Sequence, residues 1–287
     1  MDKLLIKQIM NKFSFYVLKF SKKLESIALK IRVKNYINKG TKDILKRNAI
    51  FENKHKNKSA FVIVNGPSLA NQNIEILKDE ITFVVSGFFK HKVIDTWQPT
   101  YYSILDKSFF DNSNDSLSFF KQLNEKIKES IFFVPLFRGY NSNLKNNLLP
   151  KDKTFYIASS GVPDDNVDLT SVVQSFQSVS SFALAQAIYM GCNPIYLLGF
   201  DHDYLANQGP DKHFYQGATI PNKESTYKTA ISNMYPYDDI MATCHKLWQN
   251  YRQLNVAANK KGIKIYNATK GGYLDVFERV EYESIHK

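Results

Sequence analysis

Three short stretches carry the residue types best suited to chemistry. The first is Phe61-Val62-Ile63-Val64-Asn65-Gly66-Pro67-Ser68-Leu69. An apolar run enters a polar turn and then a helix-like segment. Gly66 permits close backbone approach, and Pro67 suits the first turn of a helix. Free amides there, with Asn65 and the Ser68 hydroxyl, form a site for a phosphate. The stretch lacks both GxGxxG and the Walker A pattern, so an ordinary strand–turn–helix corner is the competing explanation. The second stretch is Ile195-Tyr196-Leu197-Leu198-Gly199-Phe200-Asp201-His202-Asp203. Asp201 and Asp203 could hold ribose hydroxyls, act as a base, or ligate Mg²⁺ or Mn²⁺ through oxygen. The bland alternative is a capped turn. The third is Asp211-Lys212-His213-Phe214-Tyr215-Gln216, where a loop histidine among aromatics can serve as a general base.

Smaller signals accompany these. Ser86, Gly87 and Asp106 follow candidate strands. Ser178, Ser180 and Ser181 precede a helix, where capping competes with phosphate contact. His55, His91, His245 and His286 have no partner in the sequence and receive no role. There is no Gly-x-Ser-x-Gly elbow, no His-Glu-x-x-His and no paired-cysteine metal site. Cys192 and Cys244 are too few for a disulfide framework and suit a reducing compartment.

The elements that must position these residues begin near Ala60. Candidate strands are Phe61–Asn65, Thr82–Ser86, Tyr101–Leu105, Ile131–Val134, Thr154–Ile157, Ile195–Gly199 and Ile263–Tyr266. Several are unbroken apolar runs, as parallel strands covered on both faces require. Helical patterns lie between them at Asp115–Glu129, Ser180–Met190 and Asp239–Lys261. The alternation predicts an α/β fold: a Rossmann-like open, mostly parallel sheet with helices on both faces. Ligands of such sheets bind beyond the carboxyl ends of the strands, where the three stretches fall. Residues 207–237 hold prolines, glycines and aromatics without periodicity and read as a lid.

Residues 1–59 have a different texture. Residues 1–60 contain 16 Lys+Arg and 4 Asp+Glu, whereas residues 61–287 contain 22 and 23. The chain's excess positive charge therefore lies in an N-terminal arm, and the neutral body does not suit a nucleic-acid partner. Leu5, Ile9, Phe13, Tyr16, Phe20, Leu24, Ile27 and Ile31 trace one helical stripe among lysines. No run is long enough to cross a bilayer, and the lysines interrupt any signal-peptide core. Three readings stand: a helix lying on an anionic membrane through residues 1–40, a helix pairing with a partner or its own copy, or a solvated helix folded back on the body. Residues 48–59 read as a polar linker, giving an arm of 1–59 and a domain of 60–287.

Three features occur in order: Val64-Asn65-Gly66-Pro67-Ser68-Leu69; Gly191 followed by Ile195 to Asp201; and Ile265-Tyr266-Asn267-Ala268-Thr269 with Gly271-Gly272. Together they resemble the 6-hydroxymethylpterin diphosphokinase-like domain family, which includes motility accessory proteins. The first two also resemble the bacterial sialyltransferases of glycosyltransferase family 42. The latter resemblance implies a CMP-activated sugar donor and no obligatory metal. It places Asn65, Gly66, Pro67 and Ser68 at the donor phosphate and ribose, and Ser180 and Ser181 near the nucleotide. It sets Gly199 and Asp201 near the cytidine; Phe200, Asp203, Ser86, Gly87 and Asp106 are further candidate nucleotide contacts from their position at the strand ends. His213 is the expected base, with Asp201 and Tyr215 as its catalytic companions. Where those enzymes carry an asparagine after the second strand, this chain has Ser86-Gly87.

The expected function is a cytoplasmic glycosyltransferase, peripheral at the inner face of the plasma membrane. Its acceptor would be a glycan or lipid-linked glycan of bacterial lipopolysaccharide or capsule. The pterin kinases imply instead Mg²⁺-dependent diphosphate transfer from ATP, with Asp201 and Asp203 as ligands. A non-catalytic nucleotide-binding scaffold, with the arm as an assembly helix, is the third expectation.

Overall fold

The computed structural model describes residues 10, 12–21, 23–24, 27–28, 31, 39–159, 164–203, 205–206, 213–214 and 236–285. Nine strands form one parallel sheet: β1 (Ala60–Ile63), β2 (Ile81–Val85), β3 (Tyr101–Ser103), β4 (Ile131–Pro135), β5 (Thr154–Ser159), β6 (Val172–Val173), β7 (Ile195–Leu198), β8 (Ile265–Asn267) and β9 (Glu278–Arg279). Their spatial order is β6-β5-β4-β3-β2-β1-β7-β8-β9. The chain builds outward from β1 to β6, returns to the other side of β1, and builds outward again. Ala60 pairs with Ile81 of β2 and Ile195 of β7, which sets the register on both sides. The reversal creates a switch point between β1 and β7, where ligands of open α/β sheets bind.

Alternation along β1 explains why the sheet is covered twice. Ala60, Val62 and Val64 join one core with Phe83, Val85 and Phe133. Phe61 and Ile63 join the other with Val84, Tyr102 and Phe132. Five helices are described with both ends: α1 (Lys39–Lys46), α2 (Asn114–Lys126), α3 (Leu136–Asn146), α4 (Val179–Tyr189) and α5 (Tyr237–Lys260). Helix α4 is buried from Ser180 to Tyr189, and its apolar residues join those of β1 and α5 in the first core. A helix that is apolar on every side suits that position. Helix α5 is amphipathic and buries Leu247, Tyr251, Leu254 and Ala258 at helical spacing. The second core takes Phe119, Phe120 and Leu123 of α2 and Leu136 of α3.

Residues 12–21 are helical and exposed, as the arm's stripe predicts. The polar linker expected at 48–59 is corrected. Phe51 is fully buried, with its ring 4.6 Å from Phe155 and 5.1 Å from Phe133. The buried Asn48 Nδ2 donates to the Tyr156 and Leu169 carbonyls. The amides of Asn53, His55 and Asn57 donate to Tyr189, Met190 and Gly191 at the end of α4. One large aromatic and one amide side chain are enough to anchor a segment that otherwise looks solvated.

Candidate functional site

The turns after β1 and β7 meet at the switch point and lock together. Val64 N–H donates to the Leu198 carbonyl at 2.9 Å, and Gly66 N–H to the Gly199 carbonyl at 3.1 Å. A Cβ on Gly66 would lie 1.9 Å from Asp201 Oδ2 and 2.2 Å from the Gly199 oxygen. A Cβ on Gly199 would lie 2.2 Å from the Val64 oxygen, and Gly199 has a φ of +73°. Both positions therefore require glycine for space, and Gly199 also for its backbone conformation. Pro67 opens the short 3-10 helix Pro67–Asn71.

Asp201 is buried and fastens that helix. Its Oδ1 accepts the Ser68 N–H at 3.1 Å, and its Oδ2 accepts the Ser68 hydroxyl at 2.8 Å. Burial pushes its carboxyl up, the two Ser68 hydrogen bonds pull it back down, and the Asp203 charge adds to the rise. The backbone of Asp201 is held from the far side. Its carbonyl accepts the Tyr273 N–H at 2.8 Å, and Gly272 packs so close that a Cβ would lie 2.6 Å from that oxygen. The 269–274 loop is tied by Arg279, which donates to the carbonyls of Thr269, Gly271, Gly272 and Leu274. Phe200 N–H donates to Thr269 Oγ1 at 3.0 Å.

Asn65 is also buried, but its side chain is engaged at one end only. Nδ2 donates to the Val85 carbonyl at 3.2 Å. Oδ1 has no hydrogen-bond partner among the described residues. The Nδ2 bond fixes the amide's orientation, so this end is an acceptor. The main-chain oxygen of Asn65 accepts the Phe214 N–H at 3.1 Å and faces His213 Nδ1 at 3.2 Å. The structure thus brings the loop histidine to the β1 turn. A carbonyl accepts only from N–H, so Nδ1 carries the proton and Nε2 of the neutral ring is the basic nitrogen. Phe214 packs its ring 4.8 Å from His91. Tyr215, and the rest of the expected lid apart from His213, Phe214, Pro236 and Tyr237, lie outside the described residues.

The other expected site residues are placed as follows. Ser86 follows β2 with a φ of +45°, and its carbonyl accepts the Tyr102 hydroxyl at 2.6 Å. Gly87 is buried beside it. Asp106 Oδ1 accepts the Ser108 N–H at 2.9 Å and hydroxyl at 2.7 Å, which caps the 3-10 helix Lys107–Phe110. Ser181 forms a capping box with Ser178 and is fully buried. Ser180 Oγ lies 2.6 Å from Tyr251 OH, inside the protein. Asp203 is half-buried in the β7 turn. Phe200 is a core residue with no exposed surface, which corrects its expected place at a nucleotide. Among the described residues no three His, Cys, Asp or Glu side chains are grouped to hold a metal ion. The sequence reading passed over His202. Its Nε2 lies 2.7 Å from Tyr251 OH, its φ is +46°, and burial pushes its ring down to about 4, so it is neutral at physiological pH. The only signal for it was the pair of flanking aspartates, because Tyr251 is 49 residues away.

No curated protein matches the sequence. Among solved structures, the sialyltransferase CstII from Campylobacter jejuni, in complex with the substrate analogue CMP-3FNeuAc, is similar at 14% identity and a TM-score of 0.46. That alignment covers 78% of this chain and 86% of the other. A second structure, of the sialyltransferase CST-II with a trisaccharide acceptor and CMP, aligns at 14% identity and a TM-score of 0.41, over 73% and 80% of the two chains. The family model described as 6-hydroxymethylpterin diphosphokinase MptE-like matches residues 34–207. That span takes in α1, β1 to β7 and both turns of the switch point, and the chain belongs to this family.

Proposed function

We propose that the chain is a glycosyltransferase that moves a sugar from a CMP-linked donor to a glycan acceptor in bacterial surface polysaccharide synthesis. One observation carries the reading: at the tip of β1, Asn65 presents a buried acceptor that has no partner among the described residues, while its carbonyl faces His213. An acceptor suits an amino or hydroxyl group of a nucleoside, and the histidine suits an attacking alcohol. The resemblance of the two turns to family 42 sialyltransferases supports a CMP-linked donor.

The charge of the strand tips favours a donor with few negative charges. Residues 65–68, 86–89, 104–106 and 199–203 include three aspartates and no Lys or Arg. A CMP-linked sugar has one phosphodiester charge, which amides and hydroxyls can hold without a metal. In the proposed step, His213 Nε2 takes the proton of the acceptor hydroxyl. The acceptor oxygen forms a bond to the anomeric carbon, and the bond from that carbon to the phosphate oxygen breaks. CMP leaves with the electron pair. Tyr215 steadies the departing phosphate as a hydrogen-bond donor. Asp201 acts through Ser68, as a positioning residue for that turn.

The family match favours a second reading, diphosphate transfer from ATP to a pterin-like molecule. That chemistry calls for Mg²⁺ at Asp201 and Asp203. Both Asp201 oxygens already accept hydrogens from Ser68, so a cation there would compete with those bonds. Calorimetric titration with CMP, a CMP-sugar and ATP, each with Mg²⁺ and with EDTA, separates the two. The glycosyltransferase reading expects CMP and CMP-sugar binding that is indifferent to EDTA. Binding of ATP only with Mg²⁺, and none of CMP, overturns it. No binding of any nucleotide overturns both readings.

A further inference from the structure

We infer that the N-terminal helix is an anchor that lies flat on an anionic lipid surface. The inference stands whether or not the site transfers a sugar. Every described residue between 10 and 31 is helical and exposed. Phe13, Tyr16, Phe20, Leu24, Ile27 and Ile31 recur at steps of 3, 4, 4, 3 and 4, which is one face of a helix. They are 44–64% exposed, so the rest of the chain does not cover that face. Phe15, Val17 and Leu18 add further exposed apolar surface. Solvated helices do not normally keep three exposed phenylalanines within two turns.

Charge identifies the occupant. Lys12, Lys19 and Lys23 each precede a stripe residue by one position. At about 100° per residue this sets all three on one flank of the stripe. Lys3, Lys7, Lys22 and Lys30 add to the same segment, whose acids up to Ile31 are Asp2 and Glu25. Two copies pairing through the stripe would align lysines with lysines, without the acidic partners that support helix pairing. A surface of anionic headgroups neutralises them while the aromatic and aliphatic face enters the acyl boundary. Phenylalanine and tyrosine side chains suit that boundary. No helix among the described residues is long and apolar enough to cross a membrane, and lysines interleaved with the apolar stripe suit the interface.

Flotation of the full chain with vesicles tests the anchor. The expected result is co-flotation with vesicles of equal parts phosphatidylglycerol and phosphatidylcholine, little with phosphatidylcholine alone, and release as salt is raised. Phe13→Asp/Phe20→Asp should weaken partition at least about tenfold through lost apolar burial. Lys12→Glu/Lys19→Glu should do so to a similar degree through reversed charge. Both pairs are exposed, so thermal unfolding of the sheet domain should not move, and that measurement separates lost anchoring from lost folding. Three results would each overturn the inference. They are absence of vesicle binding by the intact chain, equal binding to neutral vesicles, or self-association abolished by Phe13→Asp/Phe20→Asp without any vesicle binding.

Discussion

The turns after β1 and β7 sit side by side, yet their polar residues are used in opposite ways. In the β7 turn, Asp201 has both carboxylate oxygens engaged by Ser68 and its backbone gripped by the 269–274 loop. In the β1 turn, Asn65 is tied at Nδ2 and leaves Oδ1 open, with His213 on its carbonyl. One turn holds and the other reaches. Polar type and strand-end position do not distinguish the two roles, and hydrogen-bond satisfaction does. A satisfied buried carboxylate is architecture, whereas a buried acceptor at a strand tip that has no partner among the described residues is open to a ligand.

The sharpest test of the reaching side is His213→Ala. Loss of a general base lowers kcat by about 10²–10⁴-fold. The urea unfolding midpoint should move little, since the ring is only half-buried. Near-normal turnover would remove His213 from the reaction.

Gly66→Ala tests whether the two turns depend on each other. The new methyl meets the Asp201 carboxylate and the Gly199 backbone, neither of which is the free end of a flexible chain. Overpacking of this kind costs about 3 kcal/mol. The variant should unfold at markedly lower urea and lose nucleotide affinity as well. A variant of native stability would mean that the turns are not locked.

Asp201→Ala and Asn65→Ala form a contrasting pair. The first leaves the Ser68 N–H and hydroxyl without their acceptor and should cost about 2–3 kcal/mol of stability, with affinity falling only as the turn loosens. The second removes one bond to Val85, worth about 1 kcal/mol, but should weaken nucleotide binding at least about tenfold. Urea melts and calorimetric titration on both variants read the two axes. If Asp201→Ala loses affinity at native stability, the division of labour is reversed.

Much of this frame is legible in the sequence, for a physical reason. The seven expected strands exist because doubly covered parallel strands must be apolar throughout, and that leaves unbroken runs. The edge strands Val172–Val173 and Glu278–Arg279 have two residues each and leave no pattern. Helix α3 was also missed. Its sequence, Leu-Phe-Arg-Gly-Tyr-Asn-Ser-Asn-Leu-Lys-Asn, is poor in strong helix formers. It packs through Gly139, where a Cβ would lie only 3.0 Å from Val134 Cγ2, and through the buried Ser142 and Asn143. The strand-end rule picks out the candidate site. It did not separate Asp201, Asp106 and Ser181, whose polar atoms are engaged inside the fold, from Asn65. That difference arises from partners up to 133 residues away.

The smallest effect concerns His202, on the holding side. Its ring is neutral in the folded protein because burial pushes it down to about 4, and Asp203 only partly opposes this. In the unfolded chain it titrates near 6.5. Above that pH neither state binds the proton, and His202 contributes nothing to pH dependence. Below it the unfolded state takes up a proton that the folded state refuses, so stability falls as the pH drops toward 4. At pH 5.5 the loss should be about 1 kcal/mol. His55 and His91 are also pushed down by burial and act with the same sign. Asp201, pushed up, acts with the opposite sign. The comparison must therefore be with a variant rather than with the wild type alone. His202→Asn suits the purpose, because asparagine tolerates the φ of +46° and can still meet Tyr251. Urea midpoints at pH 7.5 and 5.5 should converge in the variant by that 1 kcal/mol. An unchanged gap would mean that the ring is already protonated in the folded turn.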